Sequence, residues 1–148
     1  DQPWKFIIFQ KNDALQWVNA LNCLSVGNQN WAMDTSLLIC VCANKKFKHN
    51  DNENKWSQYD TGAASENICL QSTYLGLAAH QMGGFDSDKI RNLANIPVEF
   101  DVMSFIAIGK PLAKKLMTTE QAEAEGSARK RLKLNEIYFE TKWDNFEG

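Results

Sequence analysis

The chain has 148 residues, 44% of them apolar and 23% charged, with 16 basic against 18 acidic side chains and a formal charge of -2. That length suits one domain spanning 1–148, able to bury roughly 68–70% of the surface its unfolded chain exposes. The 11% aromatic content argues against disorder, the near-neutral balance against a general nucleic-acid binder, and the longest apolar run, 37–43, is far short of the ~20 residues of a membrane span.

The chain opens on Asp1, with no charged-then-apolar leader, and is strand-like almost at once, which points to processing or to a segment ahead of it. Residues 4–10 (WKFIIFQ) follow Pro3 and are rich in β-branched and aromatic side chains, so they read as a strand. Asn12 and Asp13 are capping residues, and Leu15, Val18, Leu21 and Leu24 recur at helical spacing, predicting a helix over 13–24 that Gly27 to Asn30 breaks. Residues 36–43 (SLLICVCA) are almost continuously apolar, the pattern of a strand buried on both faces. Residues 44–57 are polar and Asn-rich, without periodicity, and read as a surface loop.

Asp60 or Thr61 caps the next predicted helix, 61–80, whose small residues and apolar positions on more than one side predict burial nearly all round. Gly83 and Gly84 end it, and Asp86 caps a short helix over 87–95 that stops before Pro97. Residues 104–109 (SFIAIG) read as a strand, 118–125 as a helix or ordered loop, and 136–143 as a last strand. Strands and helices without strict βαβ alternation favour the α+β class. Cysteines 23, 40, 42 and 69 have no disulfide framework, and a Cys-x-Cys pair with two histidines is poor zinc spacing. They read as buried reduced thiols, with no metal site, in a cytoplasmic protein.

Chemistry has three candidate locations. The Met82-Gly83-Gly84-Phe85-Asp86 turn is either a helix C-cap or bare backbone approaching a planar or anionic ligand. Arg129 and Arg131, two residues apart, are either a solvated face or a phosphate grip. His80 sits at a predicted helix end, where the dipole accounts for it. No G-x-S-x-G, Walker A or G-x-G-x-x-G pattern occurs, so hydrolase, nucleotidase and Rossmann readings lose their main support.

Taken in order, these pieces resemble one family. Gln2-Pro3-Trp4-Lys5-Phe6 is similar to the family pattern Asn-x-Gln-Pro-Trp-x-Phe. The stretch from Tyr59 through Leu70 to Leu77, then Met82-Gly83-Gly84-Phe85-Asp86, resembles its central helix and flavin-facing turn. Ile96-Pro97, Ala107-Ile108-Gly109 and Arg129-x-Arg131-x-x-x-x-x-Glu136 follow in the same order. The whole resembles the FMN-dependent nitroreductases.

The resemblance implies a mixed, mainly antiparallel sheet flanked by helices, a long buried central helix, and a homodimer with FMN at its interface. It implies FMN contacts from Gln2, Asn28, Met82, Gly83, Gly84, Arg129 and Arg131, the last two on the phosphate, and no catalytic side chain, because the flavin carries the chemistry. Trp31 falls where some relatives have a flavin-contacting lysine. The family's leading helix and its Arg-x-Ser-x-Arg phosphate grip have no counterpart in this chain. The implied activity is ping-pong hydride transfer from NADH or NADPH, through flavin N5, to a small acceptor such as a nitroaromatic or quinone. Phe47 and Trp56 are candidates for a cover over the acceptor, against a solvated loop with one anchoring aromatic. Dehalogenase or dehydrogenase chemistry within the family, or a silent flavin-binding or dimerisation module, are the alternatives; neither nucleic acid nor membrane is an expected partner.

Overall fold

In a computed structural model of the chain, residues 1–143 are described. The chain divides into two compact units, Asp1–Pro111 and Leu112–Gly148. The first contains a four-stranded sheet of order β1-β2-β4-β3, formed by β1 (Trp4–Gln10), β2 (Leu37–Asn44), β3 (Ala78–Met82) and β4 (Phe100–Gly109). All three pairings are antiparallel, so the described sheet is not mixed. β1 forms as expected, and β4 starts four residues earlier than its apolar core alone suggests.

β2 is buried from Leu38 through Ala43, as its unbroken apolar run requires. Its alternate side chains feed two cores. Leu38, Cys40 and Cys42 join Phe9, Met82, Phe105 and Ala107 on one face, where α1 (Ala14–Leu21), α2 (Val26–Ala32) and α4 (Ser87–Leu93) supply Trp17, Ala20, Ala32 and Ile90. Ile39, Val41, Ile106 and Ile108 form the other core, against Ile68 and Cys69 of α3 (Ser57–Tyr74). Burying a large aliphatic or aromatic side chain contributes about 1.5–3 kcal/mol. All four cysteines are free thiols, three of them fully buried. The Cys40 and Cys42 sulfurs lie 3.9 Å apart, and the Cys42 contact together with burial pushes the Cys40 thiol well up.

Several boundaries differ from the periodicity. The helix expected over 13–24 stops at Leu21, and α2 occupies the stretch where Gly27 to Asn30 predicted a break. Ser25 provides an extended entry to α2, and Trp31 and Ala32 pack into the core, which outweighs the weak propensity of glycine and asparagine. The helix expected over 61–80 is α3 followed by β3. Gly76, at φ 74°, ends α3: its N–H donates to the Thr73 carbonyl (3.0 Å) and the Leu77 N–H to the Ser72 carbonyl (2.9 Å), a Schellman closure. The chain then leaves in extended form, so Gly83 and Gly84 follow a strand and do not cap a helix, and His80 lies within β3.

α3 meets the expected burial on its sheet side alone. Ser57, Thr61, Ser65 and Ser72 are buried there, with the Ser65 and Ser72 hydroxyls donating to carbonyls one turn back, whereas Tyr59 and Tyr74 are 77% and 85% exposed. Small buried side chains let the helix backbone lie close to the sheet. At the far end of α4 the Arg91 guanidinium donates to the carbonyls of Ile96, Pro97 and Phe100 (2.7–3.1 Å) and so fixes the entry to β4.

The second unit, by itself, holds α5 (Thr119–Gly126) and two 3-10 turns, Lys114–Leu116 and Leu134–Glu136. Thr118 and Gln121 form a capping box at the start of α5, which decides between the helix and the ordered loop left open for 118–125. The strand expected over 136–143 does not form, since a strand needs a partner and this unit supplies none among the described residues. No described helix is long and apolar enough to cross a membrane.

Replacing Gly76 with alanine forces a side chain into left-handed backbone at the α3–β3 junction. Gly76→Ala is expected to lower unfolding free energy by about 1–2 kcal/mol, read from urea midpoints at unchanged slope.

Candidate functional site

Strand register fixes which way the chain enters β1 and leaves β3. Trp4 pairs with Ala43, Ala43 with Asp101, and Met82 with Phe105, so β1 begins, β2 ends, β4 begins and β3 ends on the same side. Gln2 precedes β1 there, in left-handed backbone at φ 53°, and the adjacent Pro3 is fully buried. Gly83 and Gly84 follow β3 on that side.

The turn after β3 is bound to the elbow between α1 and α2. The Gly84 carbonyl accepts from the Ser25 N–H (2.8 Å) and from the Asn28 side-chain amide (2.9 Å). Leu24 and Phe85 form an antiparallel bridge, and the Asp86 N–H donates to the Cys23 carbonyl (2.7 Å). Asp86 then caps α4 through the N–H groups of Asp88 and Lys89, while the Phe85 ring stands edge-on to Phe105 at 5.4 Å. Met82 closes the strand with its side chain buried.

The two glycines differ in what surrounds them. A Cβ on Gly84 would stand 2.7 Å from the Asn28 amide nitrogen and 2.8 Å from the Ser25 hydroxyl, so its lack of a side chain permits the clamp. A Cβ on Gly83 would meet nothing within 4 Å: exposed, flat main chain at the sheet end. Flat, open backbone next to a rigid clamp suits the face of a planar ligand.

The structure thus brings Asn28, Met82, Gly83 and Gly84 together. Gln2 stands at the opposite edge of the sheet, and because Met82 is level with Phe105, Cys40 and Ile7 it is also displaced along the strands from the turn. Arg129 and Arg131 lie in the second unit, fully exposed and outside any strand, so the shared strand face expected of them is absent; Arg131 donates to the Lys130 carbonyl. Trp31 is half-buried in α2, edge-on to the His80 ring at 5.0 Å. Phe47 packs against His49 in the 44–57 loop, and Trp56 lies beside the Lys55 ammonium at 4.7 Å.

Two further polar side chains flank the turn. Gln81 donates from Nε2 to Glu66 Oε2 across β3 and α3, at 3.2 Å. The nearby Cys69 thiol is pushed up by burial and by the neighbouring Glu66 carboxylate. No local pattern in Ala78–Met82 signals the Gln81–Glu66 pair; the packing of β3 against α3 creates it. No acid, base or nucleophile occurs within the turn 82–85 itself, and among the described residues no group of three His, Cys, Asp or Glu side chains could hold a metal.

The first unit is thus a three-layer α+β arrangement with a glycine turn after β3. The family model described as the Nitroreductase family matches residues 8–110, and the chain belongs to that family. A 15.4 kDa protein of Mycolicibacterium smegmatis from the ask 5′ region is 30% identical over 82% of this chain and 80% of its own length. A relative in Archaeoglobus fulgidus, provisionally named an NADH dehydrogenase or NAD(P)H nitroreductase, is 29% identical, and the match covers 78% of this chain and 65% of that protein. Among solved structures, an oxidoreductase containing FMN superposes with a TM-score of 0.85 at 31% identity, over 97% of this chain and 73% of its own. A nitroreductase family protein from Clostridium difficile 630 shares the fold at 22% identity and TM-score 0.67, over 96% of this chain and 76% of its own.

Gly84→Ala is expected to displace the Asn28 side chain and cost its bond to the Gly84 carbonyl, about 1 kcal/mol. Gly83→Ala, with open space around it, is expected to stay within about 0.5 kcal/mol of wild type. Parallel denaturant titrations of the two variants measure that difference.

Proposed function

We propose that this protein is an FMN-dependent oxidoreductase that passes hydride equivalents from NADH or NADPH to a nitroaromatic, quinone or similar small acceptor by a ping-pong scheme. The observation that carries the reading is the Gly83–Gly84 turn: open main chain over Gly83, held rigid by the clamp on the Gly84 carbonyl. The FMN contained in the 31%-identical oxidoreductase and the NAD(P)H in the name of the Archaeoglobus relative support it.

The residues present fit the cofactor. Met82, Gly83 and Gly84 would hold the ring, with Asn28 as the strut that keeps the turn in place. Arg129 and Arg131 would supply charge-assisted bonds to the phosphate. Bound FMN would supply the hydride acceptor and donor that the protein side chains lack. The chain's own contribution is positional and electrostatic: it keeps the turn from shifting, leaves room above Gly83, and sets the local charge.

Gln2 at one sheet edge and the glycine turn at the other favour a two-copy site, in which Gln2 of one subunit serves the ring held by the turn of its partner. The outward side of α3, with Tyr59, Gly62, Ala63, Leu70 and Tyr74 exposed, is the surface for that homodimer. The units 1–111 and 112–148 would act as one domain, in the cytoplasm, where four free thiols persist.

A visible spectrum of the purified full-length protein tests this reading. A flavin spectrum that bleaches on anaerobic NADPH and returns with a quinone is the expected result. A protein that takes up no added FMN defeats it, and bound flavin that NADH and NADPH leave oxidised makes the chain a silent binding module. Arg129→Ala and Arg131→Ala are each expected to weaken FMN binding about 10- to 150-fold, from 1.5–3 kcal/mol per lost charged bond, as read by flavin fluorescence titration.

A further inference from the structure

We propose that Glu66, tethered by Gln81, is the residue that sets the charge beside the bound flavin and holds its reduction potential down. This deepens the reading of the Gly83–Gly84 turn as flavin-facing and rests on it.

Strand parity places the pair. Ala79 packs into the core on the α3 side of the sheet and Met82 into the opposite core, so Gln81 is on the α3 side, and Gly83 is the next position of that parity. Glu66 comes from α3 to meet Gln81, its Oε2 accepting from Nε2 at 3.2 Å. A neutral amide two positions before Gly83 thus holds the carboxylate. Among the described residues no Lys, Arg or His forms an ion pair with it; the ion pairs found are Lys45–Asp101 and Lys89–Asp86.

An exposed carboxylate with no counter-ion usually gains most by staying in water. Here it is bonded to the side chain two positions before Gly83, where the main chain is open. Oxidised flavin is neutral, and two-electron reduction near neutral pH leaves negative charge on the ring. A fixed negative charge beside the ring disfavours the reduced form relative to the oxidised one. The consequence is a flavin that is harder to reduce and, once reduced, a stronger donor to acceptors that are themselves hard to reduce.

The test is the midpoint potential of the full-length FMN-loaded protein, measured by dye-coupled titration, with oxidised-FMN affinity alongside. Glu66→Gln keeps the shape and the contact with Gln81 and removes the charge. It is expected to favour the reduced form about tenfold, which is roughly 30 mV for a two-electron couple. Gln81→Glu adds a second carboxylate at the same place and is expected to move the potential the opposite way. Asp88→Asn removes the same charge from α4, on the other face of the sheet, and is expected to leave the potential unchanged. If Glu66→Gln and Gln81→Glu load FMN at the wild-type potential, the inference is overturned while the flavin reading stands. If neither wild type nor variants load FMN, both fall together.

Discussion

β2 and β4 carry apolar side chains on both of their faces, so neither side of the sheet can be left to water. α3 must cover one face and α1, α2 and α4 the other, because Ile39, Val41, Ile106 and Ile108 project one way while Leu38, Cys40, Phe105 and Ala107 project the other. The antiparallel pairing of these two strands also determines which ends of which strands coincide. It therefore decides that the chain enters β1 and leaves β3 on the same side of the sheet, with the end of β3 level with Ile7 in β1.

The clamp on the Gly84 carbonyl links that framework to chemistry. A turn at a sheet edge has few constraints of its own. Here two donors on one carbonyl, a β-bridge and a backbone bond to Cys23 tie it to the elbow of two helices already buried in the core. Such a turn gives up little additional freedom when a ligand arrives, so it is preorganised. Polar groups beside it, Glu66 and Gln81, come from α3 and β3, elements positioned by the opposite core.

The sequence was most legible where burial is symmetrical or the motif is short. β1 and β2 were visible because their runs of apolar residues have no helical period, and the Met82-to-Asp86 turn lies within the residues that the family model matches. The α3–β3 boundary was not visible: LGLAAHQM continues the small and apolar composition of the helix, and Gly76, tolerable within a helix, is here the residue that ends one. α2 was equally hidden, since its helix is secured by the burial of Trp31 and Ala32 rather than by the propensity of Gly27, Asn28 and Asn30.

The class of fold and the family could be read from the chain, because they depend on residue type, spacing and order. Three pairings needed the folded molecule: Asn28 committed to the Gly84 carbonyl, Gln2 and the turn at opposite edges of the sheet, and Glu66 against Gln81. The first of these joins residues 56 positions apart. Strand register and the packing of helices across two cores create all three, and no local pattern in the chain records either.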